Sequence, residues 1–267
     1  TFPEMMYDQS IFVFNKSHNY AFTHEWHRYQ SYWFLYYICQ KYNNLHSVAN
    51  VWNNPETTAV DFNEAYMHLH GIDVEELFRQ YFDYACRLVT WDLDVCEPYR
   101  NPYIGQFDYR CSKLKDGNYQ VALASCPQST GFNVIPLQTA PAGTTVTTTF
   151  TALTNRAALA ESDPGEYLNG DTQWQKTDYR YYNANSRYGK RGFRLGYVVL
   201  TKSGERQYFA EDKIYCTGAK KTSEEVSFTV PENVDKMWLV VSPAPSEDFQ
   251  HKWDDSIEGA DLWPYMV

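Results

Sequence analysis

The residues of this chain best suited to chemistry are His24, Glu25 and His27, which stand close together in an apolar stretch. A zinc hydrolase of the H-E-x-x-H type places two histidines at i and i+4 on a helix, and the glutamate after the first activates the bound water. Here Arg28 holds the i+4 position, and the second histidine comes at i+3. A guanidinium carries only donors and cannot bind zinc. The pattern therefore indicates a damaged zinc motif.

Two interpretations of this motif stay open. His24 and His27 would share one face of a helix, which allows a zinc site of altered geometry. Glu64, from a later helix, would then be the third ligand and Glu25 the general base. Alternatively, the histidines and Glu25 satisfy one another in a buried helix, and Glu64 belongs to a capping box that begins at Asp61. We favour this second interpretation, because short motifs often match by chance.

Composition bounds the class of protein and its partners. The 267 residues are 43% hydrophobic and 21% charged, which is typical of a globular chain long enough for two domains. The net charge of −10 disfavours nucleic acid and anionic membranes as partners, and no apolar run is long enough for membrane insertion. The 23 tyrosines and 8 tryptophans suit either stacking surfaces or an aromatic core. The six cysteines contain no C-x-x-C pair and leave the disulfide state open.

Helical signals are concentrated in the first part of the chain. A helix is predicted from a cap at Thr23 to about Lys41. Asp61 and Asp73 each stand three residues before a glutamate, and this spacing predicts two capped helices. Gly71 would end the first of them in a left-handed conformation. These elements predict an α-helical lobe over residues 1–104.

Strand signals take over after the Pro- and Gly-containing residues 98–105. Alternating apolar positions predict strands near residues 109–121, 131–137, 144–152, 193–210 and 226–242. An Asp-Gly pair predicts a hairpin in the first of these ranges. Several short strands at this spacing indicate a jelly-roll-like sandwich. We therefore expect an α+β chain of two domains, with an antiparallel β-sandwich over residues 105–267.

A long polar segment, residues 157–188, interrupts the predicted strands. Long loops in a sandwich are often functional, and tyrosine rings can stack on sugars. Tyr181, Tyr182 and Tyr188 are therefore candidate binding residues. The simpler alternative, which we favour, is that these tyrosines cover an edge of the sandwich.

Four stretches together resemble a family of secreted bacterial domains of unknown function, of the Bacteroidetes type, that is similar to the gluzincin metallopeptidases. They are the His24-Glu25 segment, residues 77–94, residues 126–137, and residues 238–245 with the terminal Trp-Pro-Tyr. The resemblance implies an extracytoplasmic location (secreted, periplasmic or cell surface) and a zincin-like helical lobe. Within that lobe it implies His24 as first zinc ligand, Glu25 as general base and Glu64 as third ligand. It also implies a β-sheet ahead of the helix, and few residues precede Tyr20 here.

Three functions are compatible with these patterns. We expect a non-catalytic protein that binds an extracellular glycan or protein through aromatic patches and needs no cofactor. Arg28 in a ligand position and the surplus of tyrosine favour this function. The alternative is a zinc-dependent peptidase in which His24, His27 and Glu64 hold the metal and Glu25 activates water. A structural spacer module is the third hypothesis.

Overall fold

The computed structural model describes residues 14–24, 27, 30–53, 61–114, 116–122, 125–153, 190–210, 214–216, 222–248 and 262–267. Within these residues, α-helices precede two antiparallel β-sheets along the chain. The predicted α+β class is therefore confirmed. The zincin-like character of the helical part and the jelly-roll-like closure of the sheets stay predictions.

The helical part contains four α-helices and two short 3-10 helices among the described residues. The α-helices are α1 (Tyr32–Lys41), α2 (Ser47–Trp52), α3 (Phe62–His70) and α4 (Val74–Leu88), and the 3-10 helices are Asp94–Cys96 and Asn101–Tyr103. A further helical turn occupies residues 14–17. None of the helices in the described ranges is both long and apolar enough to cross a membrane.

Two of these helices begin where the sequence predicts. The carboxylate of Asp61 accepts a hydrogen bond of 3.0 Å from the Glu64 N–H at the start of α3. Asp73 accepts one of 2.8 Å from the Glu76 N–H at the start of α4. Gly71 follows α3 in the left-handed conformation, with φ of 61°. Each cap pairs a backbone N–H that the helix itself leaves without a partner.

The cap at Asp73 makes a measurable contribution to stability. Asp73→Ala removes the acceptor for the Glu76 N–H and is expected to lower the free energy of unfolding by about 1 kcal/mol. Asp73→Asn keeps a side-chain acceptor and should stay within about 0.5 kcal/mol of the parent protein. Urea denaturation of both variants tests this difference. Equal losses in the two variants would contradict a contribution from the cap hydrogen bond.

The first helix begins later than the sequence predicts. It starts at Tyr32, and Thr23 lies in a turn instead of at a helix cap. The N–H groups of His24, His27 and Gln30 each donate to a carbonyl oxygen three residues earlier, at 2.9 Å. This is the pattern of successive tight turns, whereas an α-helix pairs groups four residues apart. Pairing of groups four residues apart begins at His27, whose carbonyl oxygen also accepts from the Ser31 N–H at 3.0 Å. Among the described residues, the helical geometry on which the i, i+4 argument depends is therefore absent between His24 and His27.

Hydrogen bonds to the loop of residues 125–132 direct the chain ahead of these turns. The Ala21 N–H donates to Gln128 Oε1, and the Phe22 N–H donates to Thr130 Oγ1, each at 2.7 Å. The Gln128 N–H in turn donates to the carbonyl oxygen of Asn19 at 2.8 Å. Long-range contacts thus override the local helical tendency, which is a weak determinant by itself.

The strands form two antiparallel sheets. They are β1 (Cys111–Lys113), β2 (Tyr119–Val121), β3 (Asn133–Leu137), β4 (Thr145–Ala152), β5 (Arg191–Thr201), β6 (Arg206–Ala210), β7 (Ile214–Cys216), β8 (Thr222–Thr229), β9 (Val234–Pro243) and β10 (Tyr265–Met266). The first sheet has the order β1-β2-β10-β4-β8. The second has the order β3-β9-β5-β6, and β7 also pairs with β5.

The predicted hairpin turn is confirmed in the first sheet, and a proline lies in an edge strand of the second. The predicted Asp-Gly hairpin joins β1 and β2, in which Lys113 pairs with Tyr119. Gly117 in that turn has a φ of 93°, which favours glycine. Pro136 lies in β3, an edge strand of the second sheet, as expected for a residue without an N–H to donate.

The central strand β5 of the second sheet is buried on both faces. Along β5, Leu195, Tyr197 and Val199 belong to a hydrophobic cluster that also contains residues of the first sheet. Val198 and Leu200 belong to a second cluster, which contains the buried faces of the helices. Successive residues of a strand point to opposite faces, so β5 lies between the first sheet and the helices.

The hydrophobic cluster of the helices extends past the predicted domain boundary. It contains Phe132, Val134, Trp238 and Val240 from the sheet region together with the helical residues. The helices therefore share a core with the second sheet. The division of the chain into residues 1–104 and 105–267 stays a prediction.

Candidate functional site

The three predicted zinc ligands lie in different environments. The His24 ring stacks on Tyr20, with ring centroids 4.5 Å apart. His27 is buried, with 4% of its surface exposed, whereas Glu64 is exposed on the first turn of α3. Across the described ranges, no three His, Cys, Asp or Glu side chains form a group that could hold a metal ion. His24, His27 and Glu64 therefore do not come together as a zinc site in this structure.

Four other predicted site residues lie outside the described residues. They are Glu25, the predicted general base, and the tyrosines Tyr181, Tyr182 and Tyr188. Their predicted roles stay predictions.

Two buried histidines are members of an aromatic core. The rings of His18 and His27 lie 6.5 Å and 5.3 Å from the ring of Phe14. Burial lowers the pKa of His18 to about 4. Burial, with repulsion from His18 and His24, lowers the pKa of His27 to about 3. The Nδ1 atom of His27 lies 3.3 Å from Ser17 Oγ, so this ring is held as a neutral core group.

An open pocket of about 290 Å³ lies at the C-terminal end of α1. It is bounded by α1, by the loop that follows it and by the 3-10 helix Asp94–Cys96. The lining residues are Tyr36, Cys39, Gln40, Asn43, Asn44, Leu45, Asp94 and Val95. This volume is close to the lower limit for small-molecule sites in proteins.

The end of α1 positions one wall of the pocket. Tyr36, Cys39 and Gln40 stand at i, i+3 and i+4, which places them on one helix face. Asn43 then adopts a left-handed conformation, with φ of 48°, and the chain leaves the helix axis. The Asn44 N–H donates to the Cys39 carbonyl oxygen at 3.0 Å, which fixes the start of the loop.

Backbone hydrogen bonds orient two amide side chains in the pocket. Gln40 Oε1 accepts from the Asp94 N–H, and Asn44 Oδ1 accepts from the His46 N–H, each at 2.9 Å. An amide side chain has one carbonyl oxygen that accepts and one NH₂ group that donates. Because both carbonyl oxygens are already bonded to the backbone, the NH₂ groups of Gln40 and Asn44 remain to donate to a ligand.

The rest of the pocket combines an acceptor with exposed apolar surface. Asp94 is exposed and provides a carboxylate. Tyr36, Leu45 and Val95 are 43%, 85% and 44% exposed, and they are three of the seven large hydrophobic residues exposed in the described part of the chain. Exposed apolar side chains grouped around polar ones are typical of a binding site.

Sequence patterns do not single out these residues. Asn43 and Asn44 indicate only a helix end, and Asp94 only the end of the helical region. The hydrogen bond that joins Asp94 to Gln40 spans 54 positions. The one local signal is Tyr36, an aromatic residue on a face of α1 that is otherwise partly polar.

Weak structural similarity links the chain to two solved structures from Clostridium thermocellum. One contains the CBM22-1 and GH10 modules of endo-1,4-β-D-xylanase 10B complexed with xylohexaose, with a TM-score of 0.34 and 7% identity over 60% of this chain and 23% of that chain. The other is the C-terminal family 22 carbohydrate-binding module of the same xylanase, with a TM-score of 0.29 and 11% identity over 56% of this chain and 67% of that chain. Neither is a metallopeptidase, and such low TM-scores do not indicate a shared function.

Comparison of sequences identifies a family for this chain but no activity. A search of curated proteins found no match. A family model described as a family of unknown function matches residues 1–267, the whole of this sequence. The predicted likeness to a domain family of unknown function is thereby confirmed. The finer resemblance, to gluzincin metallopeptidases and to domains of the Bacteroidetes type, has no support in these comparisons. The chain belongs to the family of unknown function DUF6055.

Proposed function

We propose that this chain is an extracytoplasmic, non-catalytic protein that binds a glycan in the pocket at the end of α1. One observation carries the proposal. The exposed ring of Tyr36 lines the same pocket as two oriented amide donors, Gln40 and Asn44, and a carboxylate acceptor, Asp94.

The chemistry of a sugar ring matches this arrangement. Its C–H faces pack against an aromatic ring, and its hydroxyl groups both donate and accept hydrogen bonds. The NH₂ groups of Gln40 and Asn44 would donate to hydroxyl oxygens, and Asp94 would accept from hydroxyl groups. Hydrogen bonds of a charged acceptor are the stronger ones, so Asp94 is expected to orient the sugar.

The dimensions of the pocket favour a glycan over a folded protein as ligand. A stable protein interface buries roughly 800 Å² on each partner, usually over a flatter surface. A concave pocket of about 290 Å³ instead fits sugar units at the end or along the side of a chain. Tyr181, Tyr182 and Tyr188 stay candidates for a separate glycan contact.

The non-catalytic part of the proposal has separate support. Arg28 occupies the position of the second zinc ligand, and a guanidinium cannot serve there. His27, the substitute ligand, is buried against Phe14 with its Nδ1 facing Ser17. The pocket described here does not include any of the predicted zinc ligands.

Tyr36→Ala is expected to weaken glycan binding about tenfold, equivalent to ~1.4 kcal/mol, because it removes the aromatic face. The matched control is Tyr119→Ala: Tyr119 is 42% exposed, compared with 43% for Tyr36, and lies in β2 outside the pocket. A glycan array identifies the ligand, and titration calorimetry then compares the variants. Retained binding by the Tyr36 variant, or an equal loss in the control, would place the site elsewhere. No binding to any glycan would refute the function.

A further inference from the structure

We infer that this pocket selects neutral sugars and rejects carboxylated or sulfated ones, because Asp94 would accept hydrogen bonds from two neighbouring hydroxyl groups of the sugar. The inference rests on the proposed glycan binding and specifies the class of ligand. It depends on two features of the pocket, its charge and the direction of its hydrogen bonds.

The charge of the pocket is negative. Asp94 is the one acidic or basic residue among the eight that line it. The nearest cations along the chain, Lys41 and Arg100, are not among the residues that line the pocket. Lys41 lies close enough to Glu76 to lower the pKa of that carboxyl, and Arg100 pairs with Glu97 at 3.7 Å. An anionic sugar would therefore approach Asp94 without a cation of the lining to offset the repulsion.

The hydrogen-bonding groups also distinguish neutral from anionic ligands. A carboxylate only accepts, so Asp94 needs a ligand that donates. Two neighbouring hydroxyl groups can donate to Asp94 and still accept from the NH₂ groups of Gln40 and Asn44. A carboxylate or sulfate in place of one of these hydroxyl groups carries acceptors only and would face Asp94 without a donor.

A hydrogen bond joins Gln40, which provides a donor for the ligand, to Asp94, which provides the acceptor. Gln40 Oε1 accepts from the backbone N–H of Asp94, which holds these two lining residues together. The Gln40 NH₂ group and the Asp94 carboxylate are thus presented from residues that are joined to each other. Such prior positioning reduces the entropy that ligand binding must remove.

The test uses the thiol of Cys39 as a reporter of occupancy. Cys39 lines the pocket and is half-buried, and Cys111 is a half-buried thiol in β1 that does not line it. The protein is alkylated with iodoacetamide in the presence of cello-, manno- and galacto-oligosaccharides. Each sugar is paired with its C6-oxidised form, in which the hydroxymethyl group has become a carboxylate. Mass spectrometry follows the two thiols separately.

Neutral oligosaccharides that bind are expected to slow the alkylation of Cys39 and leave that of Cys111 unchanged. Their oxidised partners should need at least a tenfold higher concentration for the same protection. In Asp94→Asn, which removes the charge, this ratio should fall to about threefold or less. A ratio that stays unchanged in this variant would contradict the assigned role of Asp94.

Two further outcomes separate the inference from the function on which it rests. Equal protection of Cys39 by neutral and oxidised sugars would overturn the selectivity and leave glycan binding intact. Absence of protection and of binding on the glycan array for every sugar would overturn the proposed function and the selectivity together.

Discussion

Gly131→Ala is expected to lower the free energy of unfolding by about 3 kcal/mol, which is large for the addition of one methyl group. A Cβ atom at this position would lie 2.1 Å from the carbonyl oxygen of Asn19 and 2.5 Å from its carbonyl carbon. Both are backbone atoms, so a change of rotamer cannot relieve the overlap. The segment around Asn19 and the loop of residues 125–132 would have to separate.

Such a separation would disturb several long-range hydrogen bonds. The Gln128 N–H donates to the Asn19 carbonyl oxygen at 2.8 Å, and the Phe132 N–H donates to the His18 carbonyl oxygen at 3.1 Å. These bonds hold the N-terminal segment on the loop that leads into β3. Leaving buried backbone groups unpaired is the main source of the expected loss.

Urea unfolding at neutral pH measures the effect, with Gly143→Ala as the control. Gly143 has a φ of 79° and no atom within 4 Å of an added Cβ, so its substitution brings only backbone strain, about 1 kcal/mol. A loss in Gly131→Ala no larger than that of the control would show that the close approach to Asn19 relaxes easily.

Features that depend on neighbouring residues could be predicted from the sequence. The caps of α3 and α4 require only an aspartate and an N–H three residues later, and both form as expected. The hairpin at Gly117 and the edge position of Pro136 likewise follow from the residue itself, through its backbone freedom or its missing N–H.

Features that depend on distant contacts could not be predicted in this way. The residues around His24 have the composition of a helix, but the backbone just before them turns, because the Ala21 and Phe22 N–H groups donate to the side chains of Gln128 and Thr130. For the same reason the zinc geometry inferred from the i, i+3 and i+4 spacing does not form among the described residues. A spacing argument holds only when the helix it assumes exists.

The candidate pocket is likewise a product of tertiary structure. Asp94 reaches the end of α1 because α4 returns the chain to it, and the bond to Gln40 fixes the contact. No local pattern relates Asp94 to Tyr36 or Asn44. The helices position the polar groups, and the exposed ring of Tyr36 forms a candidate binding site only together with them.

Lowering the pH from about 6 to about 4.5 is expected to destabilise the protein by up to about 2.7 kcal/mol per pH unit through two histidines. Burial lowers the pKa of His18 to about 4 and that of His27 to about 3, whereas both return to about 6.5 in the unfolded chain. The unfolded state therefore binds up to two protons that the folded state excludes. The contribution of these two histidines to the free energy of unfolding is fully present above pH 6.5 and is lost as the pH falls towards their folded pKa values.

Substitution of each histidine separates this effect from the titration of carboxyl groups. His18→Gln and His27→Gln should each reduce the slope of unfolding free energy against pH by up to about 1.4 kcal/mol per unit, because one fewer proton is taken up on unfolding. Urea unfolding at intervals across the range gives that slope, which is independent of any constant loss caused by the substitution itself. A slope that persists in the double variant of His18 and His27 would assign the acid sensitivity to other groups.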